Sequence, residues 1–145
     1  MKDFPLDSVL NYRKNLEDMA QLALGQARQE YRRVEQRILA EKEQLAEVRQ
    51  ALDARQTQGT DAMTLMLHQQ YLERLGHNLQ RLEQELLRMD KMIWDKKKAL
   101  HTACTDKKKL EKLKMRHELE AQAEENRVET AQLDEVAAFR WGGNW

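Results

Sequence analysis

Thr57-Gln58-Gly59-Thr60-Asp61 is the stretch that decides the fold, because it is the one strong helix-breaking signal inside a chain that otherwise repeats apolar residues at helical spacing. Tyr31 to Gln56 on one side and Ala62 to Leu110 on the other read as helix. The only proline, Pro5, precedes the first helix and breaks nothing behind it. Two very long helices folded back on each other follow from this pattern. The expected fold is all-α: a long antiparallel two-helix coiled-coil hairpin, with a first helix over about residues 7–56, a turn at 57–61, a second helix over about 62–138 and a flexible tail at 139–145. The whole of 1–145 is expected to be a single such hairpin, without the interior needed for a sizeable pocket.

The seam can be read residue by residue. In the second helix His68, Leu72, Leu75, Leu79, Leu82, Leu86, Met89, Ile93, Lys96, Leu100, Ala103, Lys107 and Leu110 alternate steps of four and three, a heptad seam interrupted late by lysines. The first helix begins differently. Val9, Tyr12, Leu16, Ala20, Ala23, Ala27, Tyr31 and Val34 follow an eleven-residue phase before Ile38, Glu41, Leu45, Val48 and Leu52 return to heptads. Folding about Gly59 makes paired positions sum to about 120, which sets Ile38 against Leu82 and Val34 against Leu86. By Leu113 the first helix is expected to have run out. A C-terminal helical overhang then extends from about Lys114 to Ala138, roughly 37 Å at 1.5 Å per residue. Its apolar residues are thinly spread, so it is expected to fray when free and to be ordered by a partner.

Composition agrees with a solvated helical protein: 34% of residues are charged, 6% aromatic, and five are glycine. A hydrophobic share of 41% that falls in register excludes a disordered chain. Bases and acids balance at 25 each, which removes whole-protein steering toward nucleic acid or an anionic membrane. Charge is strongly segregated nonetheless. Residues 96–116 hold nine bases and two acids, a net of +7, whereas residues 117–135 hold one base and seven acids, a net of −6. The short N-terminus lacks the apolar core of a signal peptide and no run approaches a membrane span, so a cytoplasmic location is expected, with membrane association only through partners. Cys104, the single cysteine, fits a reducing compartment.

Chemistry is sparse. His101 and Cys104 share a helical face, but His117 lies three to four turns on, too far to converge on one metal ion. No phosphate-binding glycine loop, nucleophile beside a histidine base, or facing carboxylate pair is present, so neither an enzyme nor a cofactor or metal site is expected. The lysine triplets 96–98 and 107–109 lack an aromatic stacking platform, and the facing residues 2–24 hold four acids against three bases, so the +7 block is expected to stay nearly unneutralised within the molecule and to seek an acidic protein groove rather than nucleic acid. At the turn end Met63, Leu65, Met66 and Leu67 are more apolar groups than a two-helix seam can bury, beside Tyr71 and Leu75. Trp141 and Trp145 match no pattern.

Two segments carry a family likeness. Phe4-x-Leu6-x-x-Val9-Leu10-x-Tyr12-Arg13-x-x-x-Glu17-x-x-Ala20 and Glu125-Asn126-Arg127-x-Glu129-x-x-x-Leu133-Asp134-Glu135-x-Ala137 resemble the FliJ family of flagellar export proteins, in the right places and order. The resemblance implies a cytoplasmic component of the flagellar type III export apparatus that is a monomer of 17.2 kDa when free. It implies that the joined terminal end enters the hexameric export ATPase and promotes ring assembly, that the turn end contacts the cytoplasmic domain of the membrane export gate, and that empty export chaperones are handled. Tyr71 and Leu75 match the gate-contacting pair. Arg13, Lys14, Lys107, Lys108, Lys109 and Arg127 are then the residues expected to meet acidic surfaces of the ring. The stalk of a virulence type III secretion system and a homo-oligomeric coiled-coil scaffold are the alternatives.

Overall fold

The computed structural model describes residues 3–142. Two helices, α1 (Asp7–Gln58) and α2 (Ala62–Gly142), pack against each other as a hairpin. The turn is set by local chemistry. Gly59 takes a φ of +90°, in the left-handed region where a side chain is strained. Asp61 then caps α2: the Thr64 amide donates to its Oδ1 at 2.9 Å, and the Leu65 amide donates to its carbonyl at 3.2 Å. Hydrogen bonds from Thr64 hold the Asp61 carboxyl below its ordinary value, so the cap is complete at neutral pH and fades as the pH falls through that lowered value.

A Cβ placed on Gly59 meets no atom within 4 Å, so the strain of a substitution there is dihedral alone. Gly59→Ala is accordingly expected to lower stability by about 1–2 kcal/mol, read as a fall in thermal midpoint by circular dichroism. A left-handed-tolerant Gly59→Asn should lose less. Equal losses for the two variants would mean that φ at this position does not govern the turn.

The described chain falls into two compact units. In Ala20–Ala99 the core is a seam cluster of Val34, Ile38, Leu79 and Leu82, with Leu45, Leu86 and Met89 packed around it. The cluster contains both pairs that the sum-to-120 register sets together, Ile38 with Leu82 and Val34 with Leu86. Leu82 is the most enclosed, at 2% exposure, and Leu75 is buried at 6%. Gln44 Nε2 donates to the Tyr71 hydroxyl at 2.6 Å across the helices, which ties the register nearer the turn.

In the other unit, residues up to Met19 pair with the part of α2 from Leu100 on. Here the expectation that pairing ends by Leu113 is corrected. Residues 3–6 are not helical, yet they continue alongside α2: Phe4 is buried with its ring 5.6 Å from that of His117, and a shallow groove bounded by Asp3, Phe4, Asp7, Glu118 and Ala121 extends further still. The chain turns at Pro5 and Leu6, where the Asp7 amide donates to the Phe4 carbonyl at 3.1 Å, and this turn sets Phe4 against His117, three residues beyond the Lys114 that pairs with Asp7. The exposed helix therefore starts near Gln122 rather than Lys114. Residues 122–142 are exposed throughout, and α2 runs on past Ala138, carrying Phe139, Arg140 and Trp141 as helix through Gly142. Gly143 and Trp145, expected in the tail, lie outside the described residues.

Candidate functional site

Two surfaces offer themselves, one in each unit. At the turn end, α2 presents Met63, Met66 and Leu67 as exposed side chains on its first two turns. Tyr71 is half-buried, its hydroxyl held by Gln44, and it lines a shallow groove with Leu67 and His68. Leu75 faces inward. As a seam residue it can support Tyr71 from below, but it presents little surface of its own. The accessible apolar patch is thus Met63, Met66 and Leu67 with the edge of Tyr71, about two turns closer to Gly59 than the Tyr71–Leu75 pair.

In the terminal unit the charged residues sort by partner. Lys107, a seam position, is four-fifths buried and meets Glu17 Oε2 at 2.7 Å, with Glu111 of its own helix at 3.9 Å. Lys114 pairs with Asp7 at 3.0 Å, and Arg13 donates to Asp106 at 3.4 Å. The +7 block is therefore not left bare by the N-terminal segment: two of its lysines are neutralised across the helices. Arg127 is satisfied on its own helix, donating from Nε and Nη2 to the two carboxylate oxygens of Glu124 at 3.1 and 2.7 Å. Lys14, Lys108 and Lys109 are exposed. The terminal unit so brings Arg13, Lys14 and the 107–109 triplet together, while Arg127 stands roughly 27 Å further along the axis.

Hydrogen bonding to Glu17 and to Asp7 raises the Lys107 and Lys114 ammonium groups above their ordinary value. A raised folded value contributes stability that is whole below the unfolded value and is lost as pH climbs through the folded one. The packing of the N-terminal segment on α2 should thus be insensitive to these lysines through neutrality and weaken above about pH 10.5. Hydrogen exchange at residues 7–19 checks this, with Glu17→Gln and Asp7→Asn expected to remove most of the alkaline loss.

Beyond the ion pairs, α2 carries Val128, Leu133, Val136, Phe139 and Trp141 into solvent, Phe139 at 84% and Trp141 at 80% exposure. Val128, Leu133, Val136 and Phe139 project within one arc of about 140° at helical spacing. Among the described residues nothing within this unit covers that face. The His117 Nδ1 is buried with no hydrogen-bond partner, and Cys104 is a half-buried free thiol. Among the described residues no group of three or more His, Cys, Asp and Glu side chains could hold a metal ion, and no helix is long and apolar enough to cross a membrane.

These features define a class: a two-helix hairpin that carries exposed apolar and charged groups rather than a reaction centre or metal cluster among the described residues. The family described as "Flagellar FliJ protein" matches residues 1–144, and the chain belongs to that family. It is a non-enzymatic component of the type III export apparatus. Among solved structures it is similar to one described as a YscO homolog, CT670, from Chlamydia trachomatis, with 20% identity over 96% of this chain and 94% of that one and a TM-score of 0.52. At that identity the likeness speaks for the shared fold. No curated protein matches.

Proposed function

We propose that this chain is the cytoplasmic stalk of a flagellar type III export apparatus. Its terminal unit binds the hexameric export ATPase and promotes ring assembly and activity, and its turn end contacts the cytoplasmic domain of the membrane export gate. The observation that carries this reading is the uncovered helix of residues 122–142, which presents Val128, Leu133, Val136 and Phe139 to solvent further along the same unit than the exposed basic surface at Lys14, Lys108 and Lys109. A helix so long and so little buried gains its stability from a partner. At the turn end Met63, Met66 and Leu67 supply an adaptable apolar surface, with Tyr71 as its rigid edge. Binding of empty export chaperones belongs to the same reading. Membrane association is through partners only.

The test is ATP hydrolysis by the purified flagellar export ATPase of the same organism, with ring formation followed in the same samples. Stimulation together with hexamer assembly is expected. Charge reversal at Lys108 and Lys109 should raise the half-maximal concentration while leaving the fold intact, because neither residue has an ion pair to lose among the described residues. The fold shared with a YscO homolog makes the virulence-type stalk the second reading. Stimulation of a virulence secretion ATPase but not of the flagellar one would select it.

A further inference from the structure

Unbroken α2 carries two blocks of opposite sign back to back. Within the terminal unit, residues 100–116 hold six bases and two acids, and residues 117–135 hold one base and seven acids. Consecutive blocks on one helix cannot fold onto each other, so this complementarity is unusable inside a single chain. Two of the six bases, Lys107 and Lys114, are engaged with α1. Lys108, Lys109, Lys112 and Arg116 are exposed and take part in no ion pair among the described residues. On the acidic side Glu118, Glu120, Glu125 and Glu129 are exposed as well. The sign changes between Arg116 and Glu118. Straddling that point are Met115 and Leu119, four residues apart on one face, 63% and 65% exposed.

From this arrangement we propose that the free chain pairs with a second copy of itself, α2 against α2 and antiparallel, about a two-fold axis at the sign change. Each basic 100–116 block then lies along the acidic 117–135 block of the other copy. An antiparallel pair related in this way matches position i with 234 − i, so that Met115 of one copy meets Leu119 of the other at the centre. Outward from the centre Arg116 of one copy meets Glu118 of the other and Lys109 meets Glu125, each twice by symmetry, whereas Lys107 and Arg127 meet as cations already paired with Glu17 and Glu124 of their own chains, and residues 100–105 carry no Lys, Arg, Asp or Glu. The overlap of residues 100–135 is about 54 Å long. A second copy fits better than an unrelated acidic protein for a specific reason. A single-sign groove would attract one block and repel the other, whereas this chain itself carries the required inverted pattern at the required length. The interface covers Lys108 and Lys109, so pairing and ATPase binding exclude each other, and the unassembled chain is held back until a partner displaces its twin. The expectation of a free monomer then applies only to dilute chain.

Sedimentation equilibrium of the full chain, with no ATPase present, tests the pairing independently of the functional reading. The average mass should rise with concentration from 17.2 kDa toward twice that value. The dissociation constant should weaken by about tenfold between low salt and about 0.5 M salt, where screening shortens the reach of surface charges to a few ångströms. Two charge-reversed chains complete the test: one with Lys108→Glu, Lys109→Glu and Lys112→Glu, the other with Glu118→Lys, Glu125→Lys and Glu129→Lys. Each alone should stay monomeric, and an equimolar mixture should form a heterodimer, because each reversed block again faces its opposite. A heterodimer also proves that both variants are folded. A wild-type chain that stays monomeric at high concentration, variants that dimerise alone, or a mixture that does not associate would each overturn the proposal.

Discussion

Leu82→Ala is expected to lower the stability of the Ala20–Ala99 unit by about 3 kcal/mol, a fall of about 15 °C in the thermal midpoint. Leu82 is 2% exposed, and its neighbours in the seam, Val34, Ile38 and Leu79, are held in place by α1 and α2 backbones that cannot collapse into the space left behind. Cavity cost adds to the lost burial under those conditions. A two-helix seam has no third layer to redistribute the loss, so one leucine carries an unusual share of the packing. Leu87, five residues on and largely exposed, is the control: its replacement by alanine should change stability by no more than about 0.5 kcal/mol. A loss of less than about 1 kcal/mol at Leu82 would mean that the register is not the one in which these four side chains meet.

The register was legible because heptad spacing has a single physical cause. Leu75, Leu79 and Leu82 recur at steps of four and three, and only one helical face satisfies those steps. Gly59 was legible for a similar reason, since a hairpin needs a residue that tolerates positive φ and the stretch offers one. Other features were hidden because they do not repeat. Phe4 packs against His117 from a non-helical segment, where no periodicity announces which side chain points inward. Lys107 stands at a seam position and looks like an exposed charge interrupting it. The structure instead lets its aliphatic stem lie in the seam while the ammonium reaches Glu17, a pairing between residues far apart in sequence. Leu75 carried two sequence signals at once, heptad position and aromatic-leucine pair, and packing decides in favour of the seam. At the C-terminal end the tail was expected from Phe139 on, but Phe139, Arg140 and Trp141 continue α2 to Gly142, since none of the three breaks a helix.

Ending the chain after Ala121 should abolish partner function while leaving the fold almost untouched. Every residue of 122–142 is exposed, so its removal takes no side chain out of either seam, and the thermal midpoint should hold within the shift expected for about 0.5 kcal/mol. Binding stands differently. If the export ATPase covers the face of Val128, Leu133, Val136 and Phe139, each side chain contributes about 1.5–3 kcal/mol of transfer free energy when buried, and losing all four weakens the complex by at least about a hundredfold. ATPase stimulation should then vanish at concentrations that saturate with the full chain. A deletion at the other terminus sharpens the comparison. Removing residues up to Leu6 strips Phe4 from His117 and exposes the α2 face beneath it, so that variant should lose stability first and function as a consequence. Four groups separate the two effects: circular dichroism and hydrogen exchange report the loss of packing, and ring assembly and hydrolysis report the loss of docking. A chain lacking residues 122–145 that still stimulates the ATPase fully would place the contact on the exposed bases Lys14, Lys108, Lys109, Lys112 and Arg116, which such a truncation leaves in position.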